Sequence, residues 1–453
     1  MIARRPTRRS SGFSLIELMI AMVLGLLVAA GIVSIFISTS SSNRVQTQLA
    51  RLQEQGRYAI TRISSDIAAA NGQYCNNSAG DATLGTGGVY VDGLRAPMVY
   101  VTGTTLTNAM SDVTTKWGTG GYPASPTAAL GAYVMPSFLS MRGYDCPATG
   151  TCTPVDPSSS TTIPAGNITA GSRVVGTSVL TMRFINPGSG WTIYPSGSTT
   201  GTTMTTSSVT SGASITQINL KAAAGEPPIA NIKANDLMLV SNCSTGQIFA
   251  VSGQGSPILA PLPVGTNFAL PQGQQGAAAP MLFDLNTDFQ TVTYYLQVVD
   301  NHDGTTTGAL MRRVNGAFPG DEIVRGIERL DFKYGVEYPD GTTQFLDAAT
   351  VDASNSTTTG CISGMKHTID TVDQGCLWRA VKSIRVDLLM NGQVPLYTLT
   401  ADEMQYTYQT DGITAPAAPG DARRKVTPAQ QNFVNQLLRR EFTALISLRN
   451  FNS

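Results

Sequence analysis

From Phe13 to Ile37 the chain is apolar almost without interruption, and its only charged side chain there is Glu17. Leu18 to Ile37 gives 20 consecutive residues without a charge, about the length that spans a bilayer. Counted from Phe13, the run measures about 37 Å as a helix at roughly 1.5 Å per residue. A secretory signal has a shorter apolar region followed by a small-residue cleavage site, so this run reads as a retained membrane segment. Past Ile37 a helical period continues. Val45, Leu49, Leu52, Ile60, Ile63 and Ile67 recur mostly at three- and four-residue steps, with Arg44, Arg51, Arg57, Arg62 and Asp66 between them. No proline interrupts residues 13–70. The pattern predicts one long helix, apolar in the membrane and then amphipathic against a globular domain.

Beyond residue 70 the composition shifts. Residues 71–280 are rich in Thr, Ser and Gly and poor in charge. β-branched threonine suits strands, so short strands joined by long loops are expected. The clearest runs are 172–185 and 234–253, the second reading as two strands around "NCSTG". In 281–453 the signals are denser. Segments 291–300 and 308–316 flank "NHDGTTT" as a hairpin, 321–347 alternates around "PDG", and 378–392 alternates Val381, Ile384, Val386 and Leu388. Residues 427–450 read as a helix with Pro428 in its first turn, followed by a terminal strand. Strands grouped after one long helix give an α+β class with an antiparallel sheet.

Charge sets the orientation. The chain of 453 residues has zero formal net charge and only 13% charged residues, about half the share in soluble domains. Arg4, Arg5, Arg8 and Arg9 precede the apolar run; without them 26 basic side chains would face 30 acidic ones. The basic end is therefore expected to stay cytoplasmic and the rest to be exported. Six cysteines in an exported chain suggest disulfides. Cys146 and Cys152 can close a small loop, Cys361 and Cys376 a second, which leaves Cys75 for Cys243; this is one of about 15 connectivities.

The chemistry that would mark an enzyme is missing from the sequence. His302 sits in a turn and His367 in a cysteine-flanked loop, no G-x-S-x-G elbow accompanies them, and no phosphate loop of the G-x-x-x-x-G-K-[ST] type occurs. "DNHDG" shares only its D-x-x-D-G spacing with calcium loops. Asp321, Glu322 and Asp421 read as solvated loop charges. The pairs Arg312–Arg313, Arg423–Arg424 and Arg439–Arg440 could attract an anionic partner, DNA included, but no aromatic platform accompanies them. They read as a solvated face. No metal, cofactor or catalytic residue is expected.

At "GFSLIEL" the sequence resembles the class III signal of type IV prepilins: basic leader, Gly12, Phe13, Glu17, then an apolar helix. The resemblance implies cutting after Gly12 by a prepilin peptidase and methylation of the new amine of Phe13. A carboxylate at Glu17, four residues on, could pair with that amine or with one on an adjacent subunit, which would offset the cost of placing a charge in the membrane. "QGRYAITRISSDIAAANG", "DLMLVSNCSTGQIF", "YYLQ…ALMRRVNG…EIVRGIERLDFKYGVE" and "VKSIRVDLLMNG" are similar to the PilW family of minor type IV pilins. That likeness implies a pilin-like fold, a long N-terminal helix on an antiparallel head, with large loop insertions. The expected organisation is a leader at 1–12, the pilin helix at 13–70 with 13–37 transmembrane, a Thr/Ser/Gly-rich β region at 71–280, and an antiparallel core with a late helix at 281–453. The implied function is initiation and assembly of the fibre, at or near its tip. The implied partners are the peptidase, other minor pilins, the major pilin, and inner-membrane machinery with a separate ATPase. The subunit would wait in the inner membrane of a Gram-negative-type bacterium, its head in the periplasm, before entering the pilus. Two alternatives stay open: a type II secretion pseudopilin, and a tip adhesin or DNA-uptake subunit that binds through 71–280.

Overall fold

A computed structural model describes residues 14–74, 97–109, 133–158, 163–186, 188–209, 212–229, 232–241, 246–253, 258–262, 280–317, 320–361 and 372–450. Gly12, Phe13, Cys75, Cys243 and His367 lie outside the described residues.

Helix α1 runs Leu15–Ala69, 55 residues without a break. Its first half is exposed throughout, and burial begins only at Gln48 and continues through Leu52, Gly56, Ala59, Ile63, Asp66 and Ile67. These positions recur every three or four residues, which places them on one stripe. The helix stops where Asn71 takes a left-handed φ of 61°. There Asn71 N–H donates to Arg183 O and the Asn450 side chain caps Ala69 O.

The stripe of α1 packs on two antiparallel sheets that share one core with it. The first contains β1 (Met141–Tyr144), β2 (Val179–Ile185), β3 (Phe289–Asp300), β4 (Thr306–Val314) and β5 (Asp321–Arg325), in the spatial order β5-β4-β3-β2-β1. The second contains β6 (Ile327–Glu337), β7 (Thr343–Leu346), β8 (Val381–Asn391) and β9 (Arg439–Ser447), in the order β7-β6-β8-β9. The hairpin expected around "NHDGTTT" is present, with Asp300 opposite Thr306. "PDG" turns β6 into β7, and Gly341 there has a φ of 81°. The fold is thus α+β and pilin-like, with a long apolar N-terminal helix.

Part of region 71–280 builds a further sheet with a core of its own, including Trp191, Ile218, Met238, Phe249 and Leu282. Seven of its strands form a closed ring. Leu237–Ser241 and Gly246–Ser252 make the hairpin expected at 234–253. Ile258–Leu262 pairs with both Gly246–Ser252 and Gly212–Asn219. Thr202–Val209, Trp191–Tyr194 and Met281–Asp284 complete the circuit back to Leu237–Ser241. Closure removes free edges, which explains how a low-charge, Thr-rich stretch forms a stable barrel. Two pairings in this sheet are parallel, Ile193 with Thr202 and Met98 with Gln247, where only antiparallel pairing is expected from the sequence.

The late helix is reduced to one 3-10 turn, Pro428–Gln431, capped by Thr427 and ended by Asn432 at a φ of 59°. The turn closes because left-handed Asn432 sends its N–H back to Ala429 O and Phe433 sends its N–H back to Pro428 O, and beyond it the Arg439 guanidinium takes the carbonyls of Val434, Asn435 and Leu437.

Candidate functional site: the N-terminal helix and its lock on the head

Two ends of α1 carry the features that bear on function. At its start, Ser14 is the N-cap and Glu17 is N3. Ser14 Oγ accepts from Ile16 N–H at 3.3 Å, and Glu17 Oε2 accepts from Ser14 N–H at 3.0 Å. Such a reciprocal box satisfies donors that a helix start leaves open, and an acid in the first turn also faces the positive end of the helix dipole. Glu17 therefore has a local partner one residue after Phe13. After it comes bare apolar surface: Leu18, Ile20, Val23, Leu26, Ile32 and Phe36 are all more than half exposed. The helix is long and apolar enough to cross a membrane by length and composition, and its apolar stretch is not buried by the rest of the chain.

The other end holds the helix on the head. Gly56 meets the Phe442 ring of β9 so closely that a Cβ there would lie 2.6 Å from it. One turn before the helix ends, Asp66 Oδ2 accepts from Tyr294 Oη at 2.6 Å and from Arg312 Nε at 2.7 Å, while Arg312 Nη2 reaches Oδ1 at 3.3 Å. Tyr294 lies on β3 and Arg312 on β4, so one helical carboxylate ties α1 to two adjacent strands of the first sheet. Burial, and then the charge of Asp66, push the Tyr294 phenol above its ordinary value. Burial opposes the charge on Arg312, but the hydrogen bond and charge of Asp66 prevail and hold it above its usual range. Sequence alone sets Asp66 among the charges between apolar positions. A signal is there nonetheless: 59, 63, 66 and 67 keep the spacing of the buried stripe, so a carboxylate on it needs a partner.

The arginine pairs do not form a solvated face, which corrects the sequence reading. Arg312 serves Asp66. Arg424 lies 3.5 Å over the Tyr406 ring and donates to the carbonyls of Tyr406, Ala417 and Ala418. Arg439 is fully buried and pairs with Glu328 at 2.8 Å, whose other oxygen accepts from Asn391. Arg423 and Arg440 match the expectation, both exposed, and Arg423 pairs with Asp421. A further buried pair, Arg142 with Asp352, is bidentate at 3.0 and 2.9 Å and takes a third bond from Trp378 Nε1. Charges spaced as loop residues thus become core connections, because each meets a partner from a distant part of the chain.

Cys146 is bridged to Cys152 and Cys361 to Cys376. Near the remaining two cysteines, Ser241 Oγ donates to Gln73 O at 3.3 Å, each two residues before its cysteine. His302 is exposed at a φ of 61° in the hairpin turn, with its N–H on Asp300. Asp303 is occupied by Thr305 in the same turn. Among the described residues no group of three or more His, Cys, Asp or Glu is arranged to hold a metal ion.

Comparison with known families agrees with this geometry at both ends of the chain. Residues 293–450 match the model of the type IV pilus-assembly protein W, PilW, and these residues contain Tyr294, Arg312 and the whole second sheet. Residues 7–33 match the prokaryotic N-terminal methylation motif, which contains Gly12, Phe13 and Glu17. No curated protein and no solved structure matches the chain. Pilin families are structural and not enzymatic, and a prepilin signal implies processing by prepilin peptidase, membrane anchoring and association with the pilus machinery. A methylation motif at the head of a bare apolar helix, and a segment similar to PilW that locks that helix to its sheets, together support a type IV pilus-associated pilin.

Proposed function

We propose that this protein is a minor pilin, cut between Gly12 and Phe13, held in the inner membrane with its head in the periplasm, and drawn into the fibre to initiate assembly at or near the tip. The observation that carries this reading is the apolar half of α1, which is left bare by its own chain. Surface of that kind is covered by lipid before assembly and by other helices after it. The leader occupies 1–12, the pilin helix 13–70 with 13–37 in the membrane, the elaborated β region 71–280, which lends β1 and β2 to the core sheet, and the common core 281–453, which lends Met281–Asp284 to the barrel. The other partners are further minor pilins, the major pilin and an inner-membrane assembly complex driven by a separate ATPase. Cys75 and Cys243 form the third disulfide, a pairing supported by the neighbouring Gln73–Ser241 bond.

Glu17 acts after cleavage. The new amine at Phe13 is one residue from the Ser14 N–H that Glu17 already accepts, so the carboxylate exchanges or shares that bond with an amine of its own or an adjacent subunit. Mass spectrometry of sheared fibres and of membranes tests the assignment. A methylated peptide beginning at Phe13 in the fibres is expected, and Glu17→Ala should leave the cut intact while piliation falls. Normal piliation in that variant would refute the role of Glu17. The same peptide confined to membranes would favour a secretion pseudopilin.

A second reading rests on the closed barrel, which has its own core and lies outside the segment matched by PilW. A module of this kind suits a tip adhesin or DNA-uptake subunit. Fibres that form but fail to attach or take up DNA after replacement of residues 188–262 by a short linker would support it.

A further inference from the structure

The head reaches up α1 as far as Ser41, where Ser41 Oγ and Thr398 Oγ1 are 3.0 Å apart. Ser41 is four residues past Ile37, the last residue of the uncharged run, or about 6 Å along the helix. The polar layer on each side of the hydrocarbon core is about 5–8 Å thick. The loop after β8 therefore ends at headgroup level whenever residues 13–37 span the bilayer. It is a firm loop: Gly392 N–H donates to Leu438 O and Leu396 N–H to Gln436 O, and Leu396 is buried. Its tip nevertheless turns two large side chains outward, with Tyr397 81% and Val394 47% exposed. Between this loop and the helix runs a groove of about 510 Å³, lined by Phe36, Ser40, Arg44, Arg51, Val394 and Leu396. Its floor is thus apolar at the membrane end and basic at the far end. Neither Arg44 nor Arg51 has an ion-pair partner among the described residues. The acidic residues of the next turn are engaged locally, Glu403 by Thr400 and Asp402 by Gln405.

We propose that Tyr397, Val394 and Arg44 form a docking surface for phospholipid headgroups, which seats the head on the outer face of the membrane before the subunit is extracted. The inference rests on the membrane-stored reading above. Tyrosine suits the site because its ring is apolar and its hydroxyl polar, the property that concentrates tyrosine at membrane interfaces. Arg44 lies about 10 Å beyond Ile37 at the helical rise, and helical side chains lean toward the N-terminus, so its guanidinium reaches back to phosphate. The commitment to lipid over another subunit follows from continuity: the loop tip meets the helix at the edge of the bare apolar run, where lipid already surrounds the chain.

The test uses the full chain at one copy per nanodisc of phosphatidylethanolamine and phosphatidylglycerol, so that no second subunit can cover the site. Tyr397→Trp is read as its added fluorescence over the parent, with lipids brominated near the headgroup end of their acyl chains. The expected result is a blue-shifted emission quenched about twofold or more, as for an interfacial aromatic. Arg44→Glu in that background should remove most of the quenching and Arg44→Lys should keep it; equal quenching in both overturns the phosphate contact. A water-like, unquenched tryptophan emission from the Tyr397→Trp chain, beside a quenched Phe36→Trp control, overturns the docking surface alone. If the Phe36→Trp control is also unquenched, the membrane reading falls and this inference with it.

Discussion

Removing the Asp66 carboxylate should detach the lower half of α1 from the head more than any other single change on that helix. In Asp66→Ala, Arg312 loses its only carboxylate partner among the described residues while its side chain is 12% exposed, and Tyr294 Oη loses its 2.6 Å bond. Breaking a buried pair from one side costs about 3–5 kcal/mol; the partial exposure of Arg312 and the nearby Arg62, 3.9 Å from Asp66, favour the low end. The lost Tyr294 bond adds about 1 kcal/mol. The expected loss is therefore about 3–4 kcal/mol, a large part of the roughly 5–15 kcal/mol that a domain has. Asp66→Asn keeps an acceptor for Tyr294 and should lose only about 1–2 kcal/mol. Arg312→Met alone leaves Asp66 with only Tyr294 and the more distant Arg62 as partners and should cost about 3 kcal/mol, but the double variant should cost little more than either single one. The assay is urea denaturation of the full chain in mild detergent, with amide exchange over residues 59–69 as the local readout. If Asp66→Ala lost less than about 0.5 kcal/mol, or if the two substitutions simply added, the carboxylate would not be what holds the helix.

Other consequences follow from the same packing. Gly56→Leu should drive a side chain into the Phe442 ring and destabilise by about 1–3 kcal/mol as an overpacked core does; Phe442→Ala in the same chain should recover part of the loss, and no recovery would place the strain elsewhere. Replacing Cys361 and Cys376 by serine opens a crosslink of sequence separation 15, which should lower stability by about 3 kcal/mol, seen as a lower urea midpoint that reducing agent no longer shifts for this bridge. Two largely buried carboxyls should favour the folded head in mild acid. Burial, and then the charge of Asp347, push Asp145 up to about 6, and burial pushes Asp284 up to about 6. A carboxyl raised in the folded state binds its proton more tightly there, so its contribution is complete below the ordinary value of 3.8 and is lost as pH rises through about 6. For a fully buried group this would correspond to at most about 3 kcal/mol, and to less where the carboxyl keeps contact with solvent. Asp145→Asn and Asp284→Asn should flatten the rise in urea midpoint between about pH 7 and pH 4; an unchanged slope in the double variant would rule out these groups as its source.

The sequence by itself determined the long helix and most of the strands around it. The reason is that these depend on periods short enough to be read locally: a 3.6-residue stripe from Leu52 to Ile67, and alternation along β3, β6 and β8. The methylation motif was legible for a similar reason, since its basic residues, Gly12, Phe13 and Glu17 are close together in the chain. Tertiary structure decided what depends on distant partners. Arg312, Arg439 and Arg142 look like any surface arginine until Asp66, Glu328 and Asp352 arrive from 246, 111 and 210 residues away. The barrel was equally hidden, because closure is made by Ile258–Leu262 joining two strands that are otherwise far apart in the sheet, and ring closure leaves no mark on the period of a single strand. The late helix was cut short for the converse reason: its local signal was sound, but Asn432 turns left-handed after one turn, and the chain beyond is held by tertiary bonds from Leu396 N–H to Gln436 O and Gly392 N–H to Leu438 O. Local pattern sets which elements form, while the pairing of charges and edges across the fold sets where they go and what holds them there.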